Sequence, residues 1–413
     1  MTDILRLDNL PSDVLILIFD YCTAFDLFRL SCVCTRFYEI IRHDTLWIKK
    51  CKQSLVTNQT SSRFCERCNP LLNLRAKWHV SNNWQYGRYE KIAYFSHKIK
   101  LMPWIQLTKN TLWWGGGSQL YGFKRWPQNK RHAGHLCEFR ETDMKSDICK
   151  FIVLDDMIVT GHRDGNIRVW LKHMIGSSHF LNSISRAHYR DVNALIHVSN
   201  IIISAGADGK VKFWNIFDES VVNNPIHTIS EISERIWSLS LCPSNNKFAV
   251  GSSGHLDLAP INIYDLQCYS KYINLQHEWR RGAGVLDMVW DTPQTLLTCG
   301  YDTSIRKWDM RTGTCVSDWP DPTDATLYCI SSDYQYTMIT GTQFNCKAVL
   351  WDQRQREYVQ LYFLNLQRMS SPVYSLQFDS SHLYAATDQN LIELNFSGYS
   401  NKENNYREML KAV

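Results

Sequence analysis

Three stretches of this chain are versions of one another. VTGHRDGNIRVW ends at Trp170, ISAGADGKVKFW ends at Trp214, and LTCGYDTSIRKWD runs through Trp308. Each reads as a β-rich strand, a small residue and Gly, an Asp at a turn, and an apolar strand closed by Trp. TGTQFNCKAVLWD, around Trp351, keeps the outline with a looser turn. GSSGHLDLAPINIYD, SHLYAATDQNLIELNF and WWGGGSQLYGF are weaker copies ending at Tyr264, Phe396 and Phe123. The terminal aromatics, from Phe123 to Phe396, are 47, 44, 50, 44, 43 and 45 residues apart. A unit of this size cannot bury its own faces, so neighbouring units must cover them. An open array would leave bare apolar faces and unpaired strand edges, so it must close.

A period of about 40–45 residues with four strands per unit is similar to the WD-repeat β-propeller. Seven units are expected to close the ring, with the segment from Arg88 to Phe95 supplying the outer strand beside Phe396. The turn chemistry has a physical basis. Asp before a tight turn accepts backbone N–H bonds, and Gly165 and Gly209 tolerate positive φ. His188, Ser204, Asp208 and Trp214 resemble the hydrogen-bonded structural tetrad of that family. Asp164 with Thr160 and Trp170, and Asp302 with Thr298 and Trp308, keep most of the set without an evident His. The unit ending at Tyr264 departs furthest.

The N-terminus follows a different period. LPSDVLILIFDYC places six apolar residues, Val14 to Phe19, in a row. The leader before it is more acidic than basic, and the run stops at Asp20, unlike a secretory signal. No stretch approaches the about 20 apolar residues of a membrane helix. An intracellular chain, cytoplasmic and/or nuclear, is expected. Asn9 or Ser12 is placed to cap a first helix, with Pro11 in its first turn. Thr23 and Phe25–Asp26 end it and start a second, in which Leu27, Leu30, Val33, Cys34 and Phe37 recur at helical spacing. A third short helix would carry Ile40, Ile41, Leu46 and Trp47. The first helix is apolar all round, and leaving one side in water costs about 1.5–3 kcal/mol per large side chain. A partner surface is the economical cover.

The pattern L-P-x-D-V-L-x-x-I-F, then D-L-x-R-L-x-x-V-C-x-R-F, then L-W, resembles the F-box. Within it, Leu10, Pro11, Val14, Leu15, Ile18, Phe19, Leu27, Leu30, Val33, Phe37, Leu46 and Trp47 are the expected adaptor-binding set. Cys22 stands where that family usually has Leu. The whole chain is therefore similar to F-box/WD-repeat proteins: an all-α F-box over 1–50, a connecting segment over 51–87, a WD-repeat propeller over 88–398 and a polar tail over 399–413. The resemblance implies a non-catalytic substrate-recognition subunit of a Skp–cullin–F-box ubiquitin ligase. The F-box would dock on the Skp adaptor, and through it on cullin and RING subunits. The propeller would hold the protein to be ubiquitinated and degraded. The alternative is a protein-interaction scaffold without ligase function.

Other features exclude more than they propose. Fourteen cysteines without a leader read as reduced thiols. Only Cys65 and Cys68 have C-x-x-C spacing, and no second pair follows, so no zinc site and no cofactor are expected. GGG at 115–117 lacks the G-K-S/T of a phosphate loop. Residues 51–110 carry ten Lys/Arg against two Asp/Glu, scattered enough to read as a solvated connecting surface. With Trp78, Trp84 and Tyr86 they raise RNA binding as a third reading, but no dense basic–aromatic patch supports it. For the substrate, Arg163, Arg190, Arg235, Arg280 and Arg281 lie beside blade turns and are expected to converge near the central opening. Their planar forks suit an acidic or phosphorylated segment.

Overall fold

The computed structural model describes residues 6–52, 54–69, 71–96, 102–125, 135–140, 146–172, 180–215, 224–256, 258–275, 277–365, 370–399, 402–407 and 409, with backbone alone at 96, 135–140 and 180. Six α-helices precede the first strand. Helix α1 (Ser12–Asp20) starts directly after Pro11, and neither Asn9 nor Ser12 supplies a side-chain cap. Proline has no N–H to donate, so it sits at the helix entry without loss. Helix α2 (Ala24–Leu30) opens on a reciprocal capping box: Thr23 Oγ1 accepts from the Asp26 N–H at 3.2 Å, and Asp26 Oδ2 accepts from the Thr23 N–H at 3.3 Å.

The spacing from Leu27 to Phe37 belongs to two helices rather than one. The chain breaks after Leu30, and Cys34 Sγ accepts from the Phe37 N–H to start α3 (Thr35–Arg42). Ile40 and Ile41 complete α3, while Leu46 and Trp47 lie on α4 (Thr45–Cys51). The first break falls where a local side-chain acceptor captures a helix N–H, which a count of apolar positions does not register; α4 starts after Asp44 without a side-chain cap. Arg36 then donates to the carbonyls of Asp8 and Leu10, each at 2.5 Å, and pins the N-terminal segment over α3.

Helix α5 (Ser62–Cys65) is one turn long. Helix α6 (Leu74–Tyr86) is capped by Asn73 and stops at Gly87, whose φ is +64°. A Cβ at Gly87 would lie 2.2 Å from the Asn404 carbonyl oxygen, so only glycine fits both the turn and the returning C-terminus.

The remainder forms seven four-stranded antiparallel sheets, the blades of a propeller. The inner strands, Trp104–Leu107, Ile148–Val153, Val192–Val198, Ile236–Leu241, Val285–Thr292, Leu327–Ser332 and Val373–Phe378, touch in cyclic order, the last against the first. Their alternating apolar residues fill the space between blades. The two ends of the chain share the seventh blade. Strand Glu90–Ser96 pairs antiparallel with Asn390–Asn395, so the outer strand comes from before the ring and the other three from its end. A buried ion pair locks the seam: the Arg125 guanidinium contacts Asp379 of the last blade and donates to the carbonyls of Arg67, Thr108 and Lys109.

The unit ending at Tyr264 is an ordinary blade with a longer loop over 253–260. Buried Glu234 organises that loop. Its carboxylate accepts from the hydroxyls of Ser252 and Ser253 and from the backbone N–H groups of Gly254 and Leu256. The segment read as a polar tail also has a place. Residues 402–407 run along α6 and blade six: Tyr406 donates its N–H to Gln360, Asn404 to the Gly87 carbonyl, and Arg88 pairs with Glu403.

Candidate functional site: two outward faces

The ring has two rims. On the lower rim lie the turns that follow the inner strands; on the upper rim lie the loops that enter them. The connecting segment occupies the lower rim. The Val56 N–H donates to Thr337 Oγ1 at 2.8 Å, Arg63 to the carbonyls of Trp290 and Asp291 at 3.0 and 2.7 Å, and Arg67 to the Ser332 carbonyl. Arg63 and Arg67, two of the ten basic residues expected to form a solvated surface, make docking bonds instead. Strand ends present unpaired carbonyls, and a guanidinium is the side chain that satisfies two at once. The aromatics raised for RNA stacking are occupied likewise. Trp84 is fully buried, stacks on Phe396 at 3.7 Å and donates to the Ser380 carbonyl. Trp78 packs on Phe25, Phe28 and Trp47.

Helix α6 is thus a wedge between α4 and blade six, and it carries the F-box on the lower rim. Of the twelve residues expected to bind an adaptor, six do not reach the surface. Leu15, Phe19, Leu27, Phe37, Leu46 and Trp47 form the core of the helical unit itself. Leu10 and Leu30 are half-buried against it, while Pro11, Val14, Ile18 and Val33 are exposed. The outer face of α1 is a stripe at helical spacing: Val14, Leu17, Ile18 and Tyr21, at 38, 65, 37 and 93% exposure. Leu17 and Tyr21 were missing from the sequence-based set. An all-apolar helix does not reveal which of its sides its own unit consumes.

The upper rim carries the tetrad. His188 Nδ1 lies 2.9 Å from Asp208 Oδ1, His188 Nε2 lies 2.8 Å from Ser204 Oγ, and the Trp214 indole donates to Ser204 Oγ at 2.8 Å. Burial lowers the His188 pKa against the pull of Asp208; burial also pushes the Asp208 carboxyl up, but the bond and charge of His188 with the N–H groups of Tyr189 and Lys210 together bring it below its ordinary value. The neighbouring blade uses a histidine the sequence did not point to. His162 Nε2 lies 2.8 Å from Thr160 Oγ1, which also accepts from the Trp170 indole at 2.9 Å. Burial drives the His162 pKa down to about 3, so it stays neutral. In the sixth blade a buried Lys347–Asp321 pair at 3.0 Å does the same work.

All five candidate arginines lie on this rim, but none of them is among the residues lining the mouth of the central channel. Arg163 and Arg190 are exposed. Arg235 sits 3.6 Å from Asp191 and over the Trp237 ring. Arg281 donates to the His255 carbonyl, and Arg280 borders a cleft that also holds Glu278, Asp302 and Asp324.

What points at the axis is one residue further on. Six inner strands shift register at their start, between Ile148 and Lys150, Val192 and Ala194, Ile236 and Ser238, Val285 and Asp287, Leu327 and Cys329, and Val373 and Ser375. The bulged residue is re-aimed. Cys149, Asn193, Trp237, Leu286, Tyr328 and Tyr374, with Pro103 of the first blade, together line the mouth of the central channel. Below the mouth lies a cavity of about 530 Å³, floored by Arg63 and Arg67. Lys150 and Trp104 line both spaces.

Cys65 and Cys68 lie at the end of α5 and just past it. Cys65 Sγ donates to the Gln59 carbonyl, and burial pushes the Cys68 thiol up to about 11. Among the described residues no group of three or more His, Cys, Asp or Glu is placed to hold a metal ion. No helix there is long and apolar enough to cross a membrane.

Known proteins match both faces. Residues 7–53 fit the F-box-like family model, and 180–215 fit the WD domain, G-beta repeat model. The chain is 32% identical to F-box/WD repeat-containing protein 4 (dactylin) of Homo sapiens over 394 residues, 94% of this chain and 92% of that protein. It is 32% identical to the Mus musculus protein of the same name over 398 residues, covering 94% and 93%. Angio-associated migratory cell protein of Homo sapiens is 24% identical over 205 residues, covering 46% of this chain and 45% of that protein. The chain belongs to the F-box/WD-repeat family.

Proposed function

We propose that this F-box/WD-repeat protein is a substrate-recognition subunit of a Skp–cullin–F-box ubiquitin ligase. The outer stripe of α1 seats on the Skp adaptor, which brings cullin and RING subunits. The upper rim of the propeller holds the protein to be ubiquitinated, in the cytoplasm and/or nucleus. Family membership supports the receptor role in general. The observation that carries it for this chain is the orientation. The connecting segment uses up the lower rim, so the apolar stripe and the open upper rim are both free for partners.

The mechanism is proximity. Burial pushes up the Cys299 and Cys329 thiols, the opposite of a reactive thiolate. A rigid receptor raises the effective concentration of the substrate lysine at the transferred group. The bonds of Arg63, Arg67 and Trp84 tie the connecting segment to the ring.

Affinity purification of the full chain against Leu17→Asp/Ile18→Asp tests the reading. Adaptor and cullin should disappear from the variant while proteins held by the propeller remain. Undiminished adaptor on the variant would remove the F-box assignment of that face.

A further inference from the structure

The stripe on α1 ends in a residue unlike the rest of it. Val14, Leu17 and Ile18 are aliphatic; Tyr21, about one turn on, is a tyrosine with 93% of its surface exposed. It stands just past the end of α1, where its N–H still donates to the Ile18 carbonyl, and only Tyr21, Cys22 and Thr23 separate α1 from α2. An exposed turn of this kind is the part of a fold that costs least to reshape in the grip of an enzyme. The helix end is held from outside. Lys49 pairs with Asp20 Oδ2 at 2.5 Å, and Lys50 donates to the Asp20 and Cys22 carbonyls at 3.3 and 2.8 Å. Such bonds satisfy the carbonyls a helix leaves free at its C-terminus. Asp20 raises the Lys49 pKa through its bond and its charge, and Tyr21 adds to the effect, so the phenol lies within electrostatic reach of that ammonium.

A phosphoryl group is the modification this position is least able to absorb. It brings a charge of about −1.5 to −2 at pH 7. Three features of Tyr21 make that charge unfavourable. It follows Asp20, it sits at the negative end of the α1 dipole, and it belongs to an apolar stripe that a partner must desolvate. The two lysines do not cancel it, because each already has a task. A phosphate that draws off Lys49 leaves Asp20 unpaired, and one that draws off Lys50 frees the last carbonyls of α1. Unmodified, the same side chain offers the stripe an aromatic ring with a polar tip, the type that anchors interfaces. One hydroxyl therefore decides between a residue that favours docking and one that opposes it.

We propose that Tyr21 is a phosphorylation site and that phosphate on its Oη closes the α1 stripe to the adaptor, so that a chain carries either phosphate or adaptor and never both. A tyrosine kinase supplies the group from ATP. The Oη–P bond forms as the bond from the γ-phosphorus to the ADP oxygen breaks, and the phenol proton passes to the general base of the kinase. This rests on the reading that the stripe seats on the Skp adaptor, and it adds a control on that assembly. Docked adaptor covers Tyr21 and shields it from the kinase, so the exclusion runs both ways.

The test compares the Skp-adaptor affinity of the full chain made with phosphotyrosine at position 21, of the unmodified chain and of Tyr21→Phe. Phosphotyrosine should weaken binding by at least about tenfold, and a tyrosine phosphatase should restore it. Tyr21→Phe should stay within about twofold. Melting temperature checks that each chain is folded. A second arm needs no synthetic chain. Full-length protein from cells treated with a tyrosine phosphatase inhibitor is divided into adaptor-bound and free pools, and mass spectrometry reads residue 21 in each. Phosphate should be present in the free pool and absent from the bound one. The inference is overturned if the phosphotyrosine chain binds adaptor like the unmodified chain, if the free pool carries no phosphate at Tyr21, or if the bound pool carries it. Unmodified chain that still binds adaptor leaves the receptor reading standing in each of those cases; unmodified chain that binds none removes that reading and this inference with it.

Discussion

The two rims of the propeller are built from the same strand ends, yet only one is finished. On the lower rim, Arg63, Arg67 and Arg125 are drawn in by carbonyls and by Asp379, and the surface is closed by the chain's own connecting segment. On the upper rim, Arg163 and Arg190 stand in solvent, and apolar and aromatic residues line the channel mouth. The difference lies in geometry rather than charge. A guanidinium becomes structural where fixed acceptors converge on it, and stays available where they do not.

That contrast fixes an order of effects. Arg125→Met should be the most damaging. It removes the guanidinium from buried Asp379 at the seam between first and last blades and leaves that carboxylate only its bonds to Ser381 and His382, at a cost of about 3–5 kcal/mol. Chemical denaturation should show it, and a loss below about 1 kcal/mol would mean that the two shared strands alone hold the ring.

Acid should attack the upper rim through its buried histidine. His162 has its pKa lowered from 6.5 to about 3 in the folded chain, so between those values the unfolded chain binds a proton that the folded chain does not. The stability contributed by this group is complete above pH 6.5 and falls as pH drops toward 3, by up to about 1.4 kcal/mol per unit. His162→Gln should flatten the stability–pH profile in that window; an unchanged slope would show the site already protonated or open.

Trp214→Phe keeps the ring and removes the indole bond to Ser204, for an expected loss of about 1 kcal/mol in thermal or chemical unfolding. Arg163→Ala/Arg190→Ala should change stability by less than about 0.5 kcal/mol. A larger loss would erase the distinction between the rims, because those side chains would then be structural as well.

Much of the fold was legible from particular residues. The Trp at 170, 214, 308 and 351 marks the third strand of a blade because a buried indole needs an acceptor ten or eleven residues earlier, and Thr160, Ser204, Thr298 and Thr340 supply it. The seventh blade's shared strands followed from the need to close a ring. The site was harder to read. Leu17 and Tyr21 look no different from Leu15 and Phe19 until α3 and α4 choose a side of α1. Tyr328 and Tyr374 look like ordinary strand residues, because a bulge adds one residue without altering composition. Arg67 reads as a solvated base, and is instead decided by what stands opposite.

By itself, then, the sequence determined the repeat, the number of blades, the helical unit and their order. Those follow from local periodicity and from the demand that apolar faces be covered, and both are written along the chain. Only the tertiary structure decided which face of α1 stays bare, which arginines become bolts, and which seven residues ring the channel. Each of these depends on groups from distant segments meeting at one point, and a linear pattern carries no record of such a meeting.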